Sequence, residues 1–94
     1  MKSLIAAVLM IGMAFSANAS EKCVAAAELA NTVMQTRQLG VSIVKAMELA
    51  GDNRAVRAIV ALAYSKPRYS TEQFQQEART DFETEVYLIC IRQK

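Results

Sequence analysis

Apolar residues recur three and four positions apart along most of the chain, and this spacing predicts helices. Between Cys23 and Gln38 the repeat consists of Ala26, Leu29, Ala30, Val33 and Met34. Gly40 follows at the position where helices commonly end in a left-handed residue. We therefore expect a first helix that ends just before Gly40.

Two shorter helices are predicted next. Ser42 is a favourable N-cap for a helix over residues 43–50. Asp52 is expected to cap a third helix, whose apolar residues are Ala55, Val56, Ile59, Val60 and Leu62. This helix should end near Tyr64, because Pro67 disfavours helical geometry in the residue before it.

The strongest local signal predicts a fourth helix from Thr71 onwards. Ser70 and Gln73 have the spacing of a capping box, and Tyr69 and Phe74 occupy the positions of a hydrophobic staple. The apolar stripe of this helix is Phe74, Ala78, Phe82, Val86 and Ile89. The fold class predicted is all-α, a small bundle of about four helices closed by one disulfide.

The first helix carries very little charge. From Cys23 to Thr36 its only charged residue is Glu28. A helix that is apolar on all sides is usually buried, so we expect burial over most of its circumference. The alternative is an exposed apolar surface used by a partner or a second copy.

The N-terminus has the pattern of a secretory signal peptide. Lys2 is followed by an uncharged apolar run over 4–15, and 17–19 reads Ala-Asn-Ala, which signal peptidase accepts. Cleavage before Ser20 would leave one domain over 20–94, located in the periplasm or secreted. A retained anchor is the alternative, but 4–19 has 16 residues, whereas a bilayer crossing needs about 20.

Cys23 and Cys90 are the only two cysteines. In an exported protein they are expected to form a disulfide, and two free thiols or an intermolecular bridge are the alternatives. Closing so long a loop would constrain the unfolded chain by about 4 kcal/mol. That is comparable to the ~3–5 kcal/mol that a core of this size supplies.

Charge and composition argue against several functions. Without residues 1–19 the chain has ten basic and nine acidic residues, so neither nucleic acid nor an anionic membrane is an expected partner. The chain has no histidine, and oxidised cysteines supply no thiolate nucleophile. We therefore predict a protein that is not an enzyme, with no catalytic residue, no metal and no cofactor.

Acidic residues recur every fourth position on the last helix, at Glu77, Asp81 and Glu85, with Glu83 nearby. Carboxylates at this spacing share one helix face. A solvated face is the expected role, and a site for a hard cation or an acid/base pair is the alternative.

A basic cluster surrounds the third helix and the loop after it, and its members are the candidate partner-binding residues Arg54, Arg57, Lys66, Arg68 and Tyr69. Arginine and tyrosine are common at binding hot spots. The alternative, which we favour, is that the third and fourth helices form an antiparallel hairpin. Arg57 would then lie level with Glu77, and Arg54 with Asp81, and the cluster would neutralise the acidic face.

One resemblance extends over most of the chain after residue 19, and it is carried by the segments 50–53, 63–64, 66–72, 81–82 and 85–88 together with Cys90. In these segments the sequence resembles a largely uncharacterised group of small exported proteins of bacteriophages and their bacterial hosts. The resemblance implies an exported helical fold with a Cys23–Cys90 bridge. It also implies roles such as the periplasmic exclusion of competing phages or the control of lysis.

Taken together, these features predict an exported protein that binds a protein partner without catalysing a reaction. The second hypothesis is a chaperone-like or structural helper that exposes the apolar first helix, and an enzyme is the third. Under the first two hypotheses the protein could also form a homodimer.

Overall fold

The computed structural model describes residues 18–93 of the chain. Four α-helices follow one another in this range, α1 Asn18–Gln38, α2 Ile43–Ala50, α3 Arg54–Tyr64 and α4 Glu72–Arg92. Residues 18–93 contain no β-strand, so the predicted all-α bundle is confirmed. Of the predicted signal peptide, only residues 18 and 19 fall within this range, at the start of α1.

Helices α1 and α4 form the main packed pair and run antiparallel. Cys23 and Cys90 are joined by a disulfide near one end, with their Cα atoms 5.5 Å apart. At the other end Gln38 binds the chain immediately before α4. The predicted Cys23–Cys90 bridge is therefore present, and it closes the two longest helices into a unit.

Helix α3 packs against α1, and α2 packs mainly against α3. Helices α3 and α4 do not form a packed pair, so the predicted antiparallel hairpin of these two helices is wrong. The physical reason is that both helices use α1 as their partner, because the chain between them is bound to the C-terminal end of α1.

The turns on either side of α2 follow local chemistry. Gly40 has φ +88°, and the Val41 amide donates to the Thr36 carbonyl at 3.3 Å, which is the Schellman pattern of helix ends. The Ser42 hydroxyl accepts the Lys45 amide at 3.1 Å. The predicted glycine terminus and serine cap are confirmed.

Two predicted caps are displaced by one residue. Asn53, and not Asp52, caps α3 by accepting the Val56 amide at 3.1 Å. Thr71, and not Ser70, caps α4 by accepting the Phe74 amide. Each pair of neighbours contains two good capping residues, so residue type alone does not choose between them.

The core is small and rich in alanine. It consists of Ala30, Val33, Met34, Ala46, Val60, Ala63, Phe82 and Val86. The largest fully buried side chains are Met34 and Phe82, which lie on α1 and α4. The small residues let neighbouring helices approach closely around these two side chains.

Helix α1 is buried on one face only. Its buried residues are Cys23, Ala27, Ala30, Val33, Met34 and Gln38, whereas Glu28, Thr32 and Gln35 on the other face are exposed. The expectation of burial over most of the circumference is therefore wrong. Helices α3 and α4 cover one side of α1, and no helix of the described range covers the other side.

No helix within 18–93 combines the length and the apolar character needed to cross a bilayer.

Replacing both cysteines with serine should lower the thermal unfolding midpoint by about 15 °C or more, because the bridge closes a loop of 67 residues. Calorimetry or circular dichroism measures the midpoint, and alkylation without reductant should label no thiol in the wild type. A decrease of the midpoint by less than about 3 °C would show that the disulfide does not contribute substantially to stability.

Candidate partner-binding surface

The linker between α3 and α4 is bound to α1 by the side chain of Gln38, which is only 3 % exposed. Its Nε2 donates to the Pro67 carbonyl at 2.9 Å, and its Oε1 accepts the Tyr69 amide at 2.8 Å. A buried side-chain amide without hydrogen-bond partners would lower the free energy of unfolding by about 1–3 kcal/mol. The linker backbone therefore satisfies Gln38, and Gln38 in turn fixes the linker.

Arg37, which precedes Gln38, binds the linker at Lys66, the residue before Pro67. Its Nε and Nη2 both donate to the Lys66 carbonyl at 3.1 Å, and its guanidinium lies 5.2 Å from the centre of the Tyr64 ring. The Tyr64 hydroxyl donates to the Val41 carbonyl at 2.7 Å. Burial raises the pKa of the Tyr64 phenol and the Arg37 charge offsets part of this rise, so Tyr64 remains a donor at neutral pH.

Two further side-chain contacts hold the linker. Lys66 forms an ion pair with Glu85 of α4, with Nζ 2.9 Å from Oε1. Arg68 Nε donates to the Gln38 carbonyl at 3.4 Å. A Cβ atom at Gly40 would lie 3.0 Å from Arg68 Nη2, so glycine leaves room for this arginine as well as for the positive φ.

The fixed linker and the first turn of α4 display several side chains to solvent. Pro67 and Arg68 are exposed, and Tyr69 and Phe74 are 40 % and 52 % exposed. The two aromatic rings contact each other with their centres 6.1 Å apart. We refer to Pro67, Arg68, Tyr69 and Phe74 as the linker surface.

The five residues of the predicted basic cluster do not form one patch. Arg54 and Arg57 lie in the first turn of α3, where the Arg57 side chain donates to the Gly51 carbonyl at 3.1 Å. Lys66, Arg68 and Tyr69 follow the other end of this 11-residue helix, which lies about 15 Å from Arg54 and about 10 Å from Arg57 along the axis. The structure thus separates the cluster into two groups.

The predicted neutralisation of the acidic face by α3 is not found. Within 18–93 the ion pairs are Lys45–Glu48 and Lys66–Glu85, so Arg57 does not pair with Glu77, and Arg54 does not pair with Asp81. Those pairs required the α3–α4 hairpin.

The acidic stripe of α4 is divided between two environments. Glu77 and Asp81 are exposed, and Glu85 is held by Lys66. No group of three histidine, cysteine or acidic side chains among the described residues is placed to hold a metal ion.

Gln38 is the residue that the sequence interpretation missed. It lies four positions after Met34, on the same face as Ala27 and Ala30, so its place in the helical repeat indicated the core. A polar residue at such a position needs hydrogen-bond partners. That requirement could have indicated a contact with a distant stretch of backbone.

The predicted hydrophobic staple between Tyr69 and Phe74 is confirmed in part. The staple pairing with Tyr69 is present as a ring contact, although the displaced cap puts both residues one position away from the usual staple positions. The ring is 52 % exposed, so the Phe74 end of the predicted α4 stripe lies outside the core.

A second exposed apolar region lies on α2. Val44 and Leu49 are 66 % and 76 % exposed. Leu49 also lines a groove of about 180 Å³ between α1, α2 and α3, whose other apolar walls include Leu29, Val33, Ala46, Val56 and Val60.

Comparison with protein-family models, with curated proteins and with solved structures finds no match to this chain.

Replacing Gln38 with methionine keeps the volume of the side chain and removes both linker hydrogen bonds. It should lower the free energy of unfolding by about 1–3 kcal/mol, because the Pro67 carbonyl and the Tyr69 amide lose their partner. Urea denaturation gives the value.

The matched control is Gln35→Met on the exposed face of α1, which should change stability by less than about 0.5 kcal/mol. Equal effects of the two substitutions would show that the Gln38 hydrogen bonds do not hold the linker.

Proposed function

We propose that this chain is an exported protein without catalytic activity that binds a protein partner through the linker surface. One observation carries the proposal. The backbone of the linker is fixed by the nearly inaccessible side chain of Gln38, while aromatic and arginine side chains of the same segment lie in solvent.

A fixed backbone favours binding because the cost of ordering a loop falls when the loop is already ordered. The Lys66 and Pro67 carbonyls and the Tyr69 amide are all engaged by α1. A partner that docks here would have few backbone torsions to restrict. The linker surface is in this sense preorganised.

The displayed side chains have the composition of a binding hot spot. Tyrosine and arginine are enriched at interface positions where truncation to alanine causes the largest loss of binding free energy. Tyr69 and Phe74 form an apolar edge, and Arg68 adds a positive charge beside it. Lys66 is engaged by Glu85, and Arg68 is exposed although its Nε donates to the Gln38 carbonyl. The partner we expect therefore offers an apolar recess with a carboxylate next to it.

Export is part of the same proposal. It is supported by Lys2, the apolar run and the Ala-Asn-Ala sequence at 17–19, and a disulfide is common in oxidising compartments. The resemblance to exported phage and host proteins suggests exclusion of competing phages or control of lysis as the setting. Intact-mass measurement of protein recovered from the periplasm should give a chain that begins at Ser20.

The chaperone-like alternative requires the apolar first helix to be exposed by dimer dissociation or local opening. In the closed chain the outer face of α1 carries Glu28, Thr32 and Gln35, and Val24 is an exposed apolar residue near its start. This surface is polar enough that we favour a specific binder over a helper that acts through α1.

Partner binding should depend on two exposed residues of the linker surface. The partner is first captured from periplasmic extract with the oxidised protein, and affinity is then measured by titration calorimetry. Phe74→Ala and Arg68→Ala should each weaken binding about tenfold or more, as truncated hot-spot residues do. The Arg68 contribution should shrink as salt increases, because exposed charges are screened.

Matched controls are available on other surfaces. Arg54→Ala removes an exposed arginine at the far end of α3, and Val24→Ala trims an exposed apolar residue of α1. Both should bind like the wild type. Wild-type affinity in Phe74→Ala and Arg68→Ala would refute the linker surface as the binding site.

A further inference from the structure

The outer face of α2 is formed by Val44, Lys45, Glu48 and Leu49. Val44 and Leu49 are 66 % and 76 % exposed, and the side chains of Lys45 and Glu48 are each 64 % exposed. The inner side of the helix is marked by Ala46, which is buried. Two large apolar side chains therefore lie in solvent at the two ends of this face, with a charge of each sign between them.

The order of side-chain types on this face is self-complementary. Inward from Val44 or from Leu49, an apolar residue is followed by a charged residue and then by the central pair 46–47, but the charge is positive at Lys45 and negative at Glu48. If two such helices lie antiparallel and centred on this pair, Lys45 of each copy lies level with Glu48 of the other. Val44 of each copy lies level with Leu49 of the other along the axis, but the two residues are about 140° apart around the helix and line opposite edges of the face.

We infer that a second copy of this chain docks on the outer face of α2, antiparallel and across a two-fold axis. A closed two-fold dimer requires one patch that complements itself, and both charge pairs of this face satisfy that condition. A parallel arrangement would bring Lys45 close to Lys45 of the second copy, and the like charges would repel. This site is distinct from the linker surface and does not depend on the proposed partner.

The charges of the monomer are available for such pairing. Lys45 and Glu48 contact each other at 3.8 Å within one exposed turn, and exposed pairs of this kind contribute little to stability. The dimer can re-form two such pairs between copies while it removes Val44 and Leu49 from water. The apolar contact supplies most of the attraction, and the charges set the orientation.

The size of the face predicts a weak dimer. An eight-residue helix is about 12 Å long, and its outer face is smaller than the ~800 Å² per partner of a stable interface. Leu49 extends the apolar surface toward the groove between α1 and α3. Association should therefore be detectable at high protein concentration, and it should lower the exposure of both apolar ends.

Sedimentation equilibrium of the oxidised protein from about 10 µM to about 1 mM tests the dimer, in the concentration range of weak complexes. The mean mass should rise toward that of two chains. Lys45→Glu and Glu48→Lys should each reduce the association constant at least tenfold, because like charges then face each other at both pair positions. An equimolar mixture of these two variants should associate again, since unlike charges face each other in the mixed dimer.

The mixture separates docking from folding, because the contact between 45 and 48 within the chain is lost in both variants. A control mixture of Lys22→Glu and Glu28→Lys makes the same charge changes at exposed positions of α1. Each of these controls should dimerise like the wild type, alone and mixed. A wild-type protein that stays monomeric to about 1 mM would overturn the inference. So would a mixture of Lys45→Glu and Glu48→Lys that associates no more than either variant alone.

Discussion

The buried side-chain amide of Gln38 is the constraint on which the arrangement of the helices depends. A primary amide has two donors and one acceptor oxygen, and here it is almost completely removed from water. The Pro67 carbonyl and the Tyr69 amide supply its partners. The chain that leaves α3 must therefore return to the end of α1 before it enters α4, and α4 then packs along α1 and not along α3.

The disulfide acts at the opposite end of the same helix pair. Cys23 and Cys90 hold the start of α1 to the end of α4, so α1 and α4 are tied at both ends by contacts of different kinds. The bridge works mainly by restricting the unfolded chain, whereas Gln38 works only in the folded protein. Together they provide a frame against which α3 packs on one side, with α2 on α3.

Local chemistry in the sequence was sufficient to predict most of the elements. The positive φ at Gly40 and the cap at Ser42 were correctly predicted because each depends on a few adjacent residues. The caps of α3 and α4 were placed one residue too early, since Asp52 and Asn53, or Ser70 and Thr71, are both suitable by type.

The larger errors of the prediction concern which helices are neighbours. A short loop after α3 favoured a hairpin with α4, and the expected pairing of Arg57 with Glu77 followed from it. The position of Gln38 in the helical repeat indicates a distant backbone partner, but no local rule identifies the loop after α3 as that partner. The candidate site was predicted only in part, for the same reason. Arg68 and Tyr69 lie together on the linker, but Arg54 and Arg57 lie at the far end of α3.

Amide hydrogen exchange at Tyr69, followed by NMR, tests most directly whether Gln38 fixes the linker. Tyr69 lies in an exposed linker outside the helices, so its amide would exchange quickly if nothing held it. The account predicts exchange at least about 100-fold slower than in an unstructured peptide, and slower than at Ser70, to which Gln38 makes no hydrogen bond in the described chain. Exchange of the Tyr69 amide at the rate of an unstructured peptide would contradict the account.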